Sequence, residues 1–110
     1  MSATELNIRR MRGDWVVVEL RGEHEAYTAT KLERELDNLL DEGYGIVIDL
    51  SHASFIDSKT AGLLLAAHRR AEDKGSEFRV VLGDGTGWAV RRLLDVTGLG
   101  AVLDVAETLD

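Results

Sequence analysis

The chain predicts an α/β fold: a mostly parallel sheet of about five strands, with helices stacked mainly on one face. Strand-like and helix-like segments alternate from Trp15 to the end, which implies right-handed crossovers between parallel strands. The strand segments are short and keep polar residues at alternate sites, as at Glu19, Asp49 and Arg79. Strands covered by helices on both faces read instead as continuous apolar runs. Glycine follows each helical segment, at Gly43, Gly75 and Gly98, where a left-handed residue closes a helix.

Taken in order, Leu6 to Arg10 is an edge strand expected to pair antiparallel, broken by Arg12-Gly13-Asp14. Trp15 to Leu20 is a strand with Val16, Val18 and Leu20 on one face and Trp15, Val17 and Glu19 on the other. A helix follows, carrying Ala29, Leu32, Leu36 and Leu39/Leu40 on one stripe. It starts either at a Thr30–Glu33 capping box or at Thr28, and Gly43 and Gly45 stop it. Ile46 to Leu50 is the next strand, followed by a Ser-rich turn and a helix from Ser58 to Asp73 that Lys74-Gly75-Ser76 closes. Phe78 to Leu82 is a strand. Gly83 to Gly87 is a flexible loop, capped by Asp84 or Thr86, that leads into a third helix with Val90, Leu93, Leu94 and Thr97 on one stripe. Val102 to Val105 is read as a last short strand, and Ala106 to Leu109 supply at most one further helical turn.

Composition narrows the function classes. A chain of 110 residues is expected to form a single domain, 1–110, and a hydrophobic content of 45% lies above that of disordered chains. There is no Cys, so thiol catalysis and thiolate metal sites are excluded. No apolar run follows Met1, and the longest one, Ala61 to Ala67, is too short for a bilayer. Thirteen basic residues against twenty acidic ones give a net charge of −7, which argues against nucleic acid as a partner. The expectation is an acidic, soluble, cytoplasmic protein with no membrane attachment.

Signs of small-molecule chemistry are weak. Gly83-Asp84-Gly85-Thr86-Gly87 lacks the Gly-Lys-Ser/Thr of a phosphate loop, and His24, His52 and His68 sit on separate elements. No metal and no cofactor is expected. Ser58 has neither a Gly-x-Ser-x-Gly elbow nor a Ser-x-x-Lys partner, so a serine hydrolase is poorly supported. Trp15 reads as core. Trp88, beside glycines at a helix start, reads equally as an exposed interface anchor.

The most informative stretch is residues 49–65, where a strand ends in a polar turn that presents Asp57-Ser58 at the start of an apolar helix. Backbone N–H groups there have no partner within the helix, and the dipole favours negative charge. Two readings follow. Asp57 or Ser58 caps the helix, or the position carries a phosphoserine. Asp49 and Ser51 are placed to brace the preceding turn.

The series Val47-Ile-Asp-Leu-Ser51, Phe55-Ile-Asp-Ser58 and Gly62-Leu-Leu-Leu-Ala-Ala-His-Arg-Arg-Ala71 resembles the signature of stand-alone STAS domains, the bacterial anti-sigma-factor antagonists. Leu20-Arg-Gly-Glu23, Thr28-Ala29, Val90-Arg-Arg-Leu-Leu94 and Thr97-Gly-Leu99 extend the resemblance over roughly residues 5 to 108. It implies the STAS-type fold and a binding protein, not an enzyme. It also implies that Ser58 is phosphorylated by a partner anti-sigma factor that is itself a serine kinase. Unphosphorylated, the antagonist holds the kinase; phosphorylated, it lets go; a PP2C-type phosphatase resets it. Asp57, Ser58, Lys59, Thr60 and Trp88 would form the partner surface of a monomer or weak dimer. The other use of such a domain is as a scaffold or ligand-binding component of a stress-sensing or lipid-transport assembly, with Ser58 structural. Two departures stand out. Lys59-Thr60-Ala61 replaces the family's usual Ser/Thr-Gly-Leu, adding a second hydroxyl and a charge, and Glu25 replaces the usual Asp.

Overall fold

Val16, Val18 and Leu20 alternate with Trp15, Val17 and Glu19, and this alternation divides the sheet into one face packed by helices and one with a small cluster of its own. A computed structural model describes residues 4–103 and 105–107. The elements are β1 (Glu5–Arg10), β2 (Trp15–His24), α1 (Ala26–Asp41), β3 (Gly45–Asp49) and β4 (Ala53–Ile56). There follow α2 (Ser58–Lys74), β5 (Phe78–Val81), α3 (Trp88–Val96), α4 (Leu99–Val102) and β6 (Val105–Ala106). The sheet runs β1-β2-β3-β5-β6, with β4 also paired to β2. As expected, β1 joins antiparallel at the edge and the remaining pairs are parallel.

The main core lies between one face of the sheet and the helices. Val18, Leu20, Ile48 and Val80 meet Leu32, Leu36 and Leu40 of α1 and Leu64 and Ala67 of α2. On the opposite face only Val17, Val47 and Val81 form a small buried cluster, flanked by Met11 and Trp15. Helices thus cover mainly one face, and the polar alternation of the strands is the reason it was visible in the sequence.

Four local expectations are corrected. The Ser-rich turn contains a strand, β4, which pairs parallel with the tail of β2 from Gly22 to His24. Gly22 adopts φ +77° beside a register shift, which lets β2 leave β3 and continue against β4. Second, α1 begins at Ala26, so neither Thr28 nor a Thr30–Glu33 box is its cap. Glu25 holds the N-cap position without a side-chain bond, and Thr28 Oγ1 donates to the Glu25 carbonyl at 2.9 Å. Third, α3 is entered through Gly87, not capped by Asp84 or Thr86. The Thr86 hydroxyl instead accepts from Gly83 N and donates to the Leu50 carbonyl, both at 2.9 Å. Fourth, the segment read as a strand from Val102 is first the short helix α4, which the left-handed Gly98 allows to start (φ +74°). The strand comes later, at Val105–Ala106, which also replaces the start of the expected final turn; Thr108 and Leu109 lie outside the described residues.

Candidate functional site

Ile56 ends β4 in the core, and the chain then turns directly into α2. Asp57 is extended (φ −91°, ψ 176°) and is the N-cap: its Oδ1 accepts from Thr60 N at 2.8 Å. The capping question is therefore settled in favour of Asp57, and Ser58 is the first helical residue. The Asp57 N–H donates to the His24 carbonyl at 3.1 Å, which fixes the start of α2 to the end of β2.

Ser58 and Lys59 are exposed, and no hydrogen bond to the Ser58 hydroxyl exists among the described residues. It therefore has no hydrogen-bonded base to activate it, and it lies free at the positive end of α2. Thr60, expected at the partner-facing surface, is instead 0% exposed. Its Oγ1 donates to the same His24 carbonyl at 3.2 Å. The two hydroxyls of this turn thus have opposite surroundings.

Glycine places the neighbouring helix. Gly87 N donates to the Ala53 carbonyl at 2.7 Å, and any Cβ on Gly87 would collide with the Ser54 carbonyl. A Cβ on Gly85 would stand 2.7 Å from Ser51 O, and one on Gly83 2.9 Å from Ser51 Cβ. The glycine-rich loop is an adapter between two stretches of backbone, with no resemblance in role to a phosphate cradle. Asp49, almost wholly buried, braces the other side as expected: its Oδ1 accepts from Ser51 N at 2.9 Å and from Ser51 Oγ at 2.5 Å.

This close approach brings the first turn of α3 beside Ser58. Trp88 is 76% exposed, with the Arg92 guanidinium 5.9 Å from its ring centre. Ser58, Phe55, Trp88, Leu93 and the exposed Val96 line one open groove of about 350 Å³. The structure therefore unites Asp57, Ser58 and Trp88 on one surface, with Lys59 exposed beside Ser58, and withdraws Thr60 from it. Phe55 and Arg92 are additions that spacing alone did not single out.

His24 is the other residue that sequence reasoning missed. It is 1% exposed, and its Nε2 lies 3.0 Å from both the Glu5 and Arg21 carbonyls, so Nε2 carries the proton and donates. Burial pushes its pKa below the ordinary value, against the opposing pull of those two carbonyls. Glu25 is exposed and makes no cap bond with its carboxylate. Among the described residues no group of three or more His, Cys, Asp or Glu is placed to hold a metal, and no helix is long and apolar enough to cross a membrane.

Known proteins share both the fold and the sequence pattern. An anti-sigma-B factor antagonist from Listeria monocytogenes is 28% identical over 101 residues, covering 91% of this chain and 86% of its own. An anti-sigma F factor antagonist from Paenibacillus polymyxa is 27% identical over 94 residues, covering 84% of this chain and 78% of its own. The crystal structure of an anti-sigma factor antagonist from Mycobacterium paratuberculosis superposes with a TM-score of 0.84 at 28% identity, covering 98% of this chain and 89% of that one. The STAS domain pattern itself matches residues 6–110, so the chain belongs to the STAS domain family.

Proposed function

We propose that this protein is a cytoplasmic anti-sigma-factor antagonist that captures an anti-sigma factor through the surface around Ser58 and releases it when Ser58 is phosphorylated. The names of the relatives from Listeria and Paenibacillus support the antagonist role. The observation that carries the switch is the exposed Ser58 hydroxyl, unbonded among the described residues, at the mouth of α2 and on the rim of an apolar groove. That hydroxyl is open to a kinase and is not engaged in holding the fold. The partner is a serine kinase, a PP2C-type phosphatase reverses its action, and the protein itself binds without catalysing.

The energetics favour a switch that acts on binding and spares the fold. A phosphate at Ser58 gains about 0.3–1 kcal/mol from the helix dipole. Repulsion from Asp57 removes a similar amount, about 1 kcal/mol at contact distance in water. Under a bound partner the same phosphate must lose its water, and burying nearly two negative charges costs several kcal/mol that the single charges of Lys59 and Arg92 offset only in part.

The test is phosphorylation with ATP and the captured kinase, followed by site mapping in wild type, Ser58→Ala and Thr60→Ala, with partner affinity and melting temperature for Ser58→Asp. Label confined to Ser58, lost affinity and an unchanged melting temperature are expected. Label that survives Ser58→Ala, or a Ser58→Asp protein that melts early yet binds normally, would overturn the proposal.

A further inference from the structure

Among the described residues, strand β1 has a neighbour on one side only, and the pairing fixes which way each of its backbone groups points. Met11 N donates to the Trp15 carbonyl at 2.9 Å, one step beyond the register that pairs Arg10 with Val16. In an antiparallel ladder alternate residues turn both backbone groups toward the same neighbour. Glu5, Asn7 and Arg9 therefore face β2, and Leu6, Ile8 and Arg10 turn their N–H and C=O groups to the open edge. The Glu5 carbonyl, which accepts from the ring of His24 in β2, agrees with this parity.

An added antiparallel strand must bring its own outward residues opposite Leu6, Ile8 and Arg10. For a second copy about a two-fold axis, that allows registers centred on Leu6, Asn7 or Ile8. Centring on Ile8 sets Asn7 opposite Arg9 and Leu6 opposite Arg10. Centring on Leu6 sets Glu5 opposite Asn7 and leaves Arg9 without an acid. Centring on Asn7 sets Glu5 opposite Arg9 and Leu6 opposite Ile8, both twice, so charge meets opposite charge and apolar meets apolar.

In the free protein the Glu5 carboxylate accepts from the Asn7 amide at 3.2 Å, an exposed contact that pairing with Arg9 of a second copy would replace, and the other groups are available. Arg9 is exposed and has no ion pair among the described residues, and Ile8 is 40% exposed. The chain has no proline, and β1 runs six residues without a bulge, so charge is the blunting device this edge carries. The charges of Arg9 and Glu5 discourage neutral foreign strands and are answered by a second copy. We infer that β1 pairs with β1 of another copy about an axis through Asn7, joining two sheets into one. A single strand edge makes a small interface, so the dimer forms and dissociates with concentration.

Sedimentation across a hundredfold concentration range should show the monomer–dimer equilibrium. Arg9→Glu should raise its dissociation constant about tenfold, as two cross-strand pairs turn repulsive. Glu5→Arg combined with Arg9→Glu should restore it. Asn7→Cys introduces the only thiol of the chain. On the axis the two cysteines would stand about 4.5 Å apart between Cα atoms, within disulfide range, so mild oxidation should give a covalent dimer. Ile8→Cys, offset from its symmetry mate, should link far less. A protein that stays monomeric throughout, a double swap that does not recover, or linking at Ile8→Cys equal to that at Asn7→Cys would overturn the inference. So would linking that needs a second protein, which would place a foreign strand on this edge.

Discussion

The carbonyl oxygen of His24 accepts the hydroxyl of Thr60 at 3.2 Å, across 36 residues of sequence. It also accepts the N–H of Asp57 at 3.1 Å, so one buried acceptor holds both the cap and the first turn of α2 against β2. Ser58 stands between these two anchored residues and shares in neither bond.

Thr60→Val should therefore destabilise the fold, while Ser58→Ala should not. Losing one buried hydrogen bond costs about 1 kcal/mol, which lowers the melting temperature by roughly 4–8 °C in a domain of this size. An exposed substitution such as Ser58→Ala stays within about 0.5 kcal/mol. Thermal melting of both variants checks this, and equal losses would contradict the contrast between the two hydroxyls.

Asp57 acts through its acceptor oxygen. Asp57→Ala should lower stability by about 1 kcal/mol, whereas Asp57→Asn, which still accepts from Thr60 N, should lose only a few tenths. Denaturant midpoints measured side by side will show the order. An Asn variant as weak as the Ala variant would mean that the negative charge matters more than the cap.

Two glycines should respond in opposite directions to the same added methyl group. Gly87→Ala forces α3 off the β4 backbone, an overpacking loss of about 1–3 kcal/mol, and should alter the fluorescence of Trp88. Gly62 lies exposed inside α2, with nothing within 4 Å of an added Cβ. Gly62→Ala should raise stability by about 0.5–1 kcal/mol. A neutral Gly87→Ala would show that the close approach relaxes freely.

His24 sets a pH dependence. Its folded pKa lies below the ordinary 6.5, so as pH falls through 6.5 the unfolded chain takes up protons before the folded one does. Stability is fully present above 6.5, declines below it, and levels off once folded His24 is protonated as well. Denaturant midpoints from pH 7.5 to 5 should show the fall in wild type and in His52→Gln, whose ring is exposed. His24→Gln should remove that part of the slope. A slope that survives in His24→Gln would assign the proton uptake to another group.

The sequence disclosed whatever depends on near neighbours. The faces of β2 follow from the alternation Val16, Val18 and Leu20, and the ends of α1 and α2 from Gly43 and Gly75. The start of α2 was legible because an Asp cap acts over three residues. What stayed hidden depends on distant partners. Ala53-Ser-Phe-Ile56 is too short to show a period, and it becomes a strand only because Gly22 bends β2 toward it. The start of α1 carried a misleading threonine, which bonds back to Glu25 from inside the helix. Helix position already favoured Ser58 over the β-branched Thr60 as the modified hydroxyl, but that Thr60 is fully buried and bonded to the remote His24 carbonyl was not legible. Arg92 lies beside Trp88 because the two are four residues apart on α3, but only the docking of α3 brings that pair to the groove at Ser58.

The docking of Gly83, Gly85 and Gly87 on the Ser51–Ser54 backbone has an evolutionary corollary. Gly85 and Gly87 rest directly on the Ser51–Ser54 main chain, and the exposed side chains Trp88, Arg92 and Val96 take no part in that contact. Residues such as Trp88, Arg92 and Val96 are then free to drift, retuning which partner is preferred without reshaping the platform that displays Ser58. Paralogues in one cell could diverge in partner choice at these positions alone, while insertions or deletions in either of the two interlocked loops would be purged.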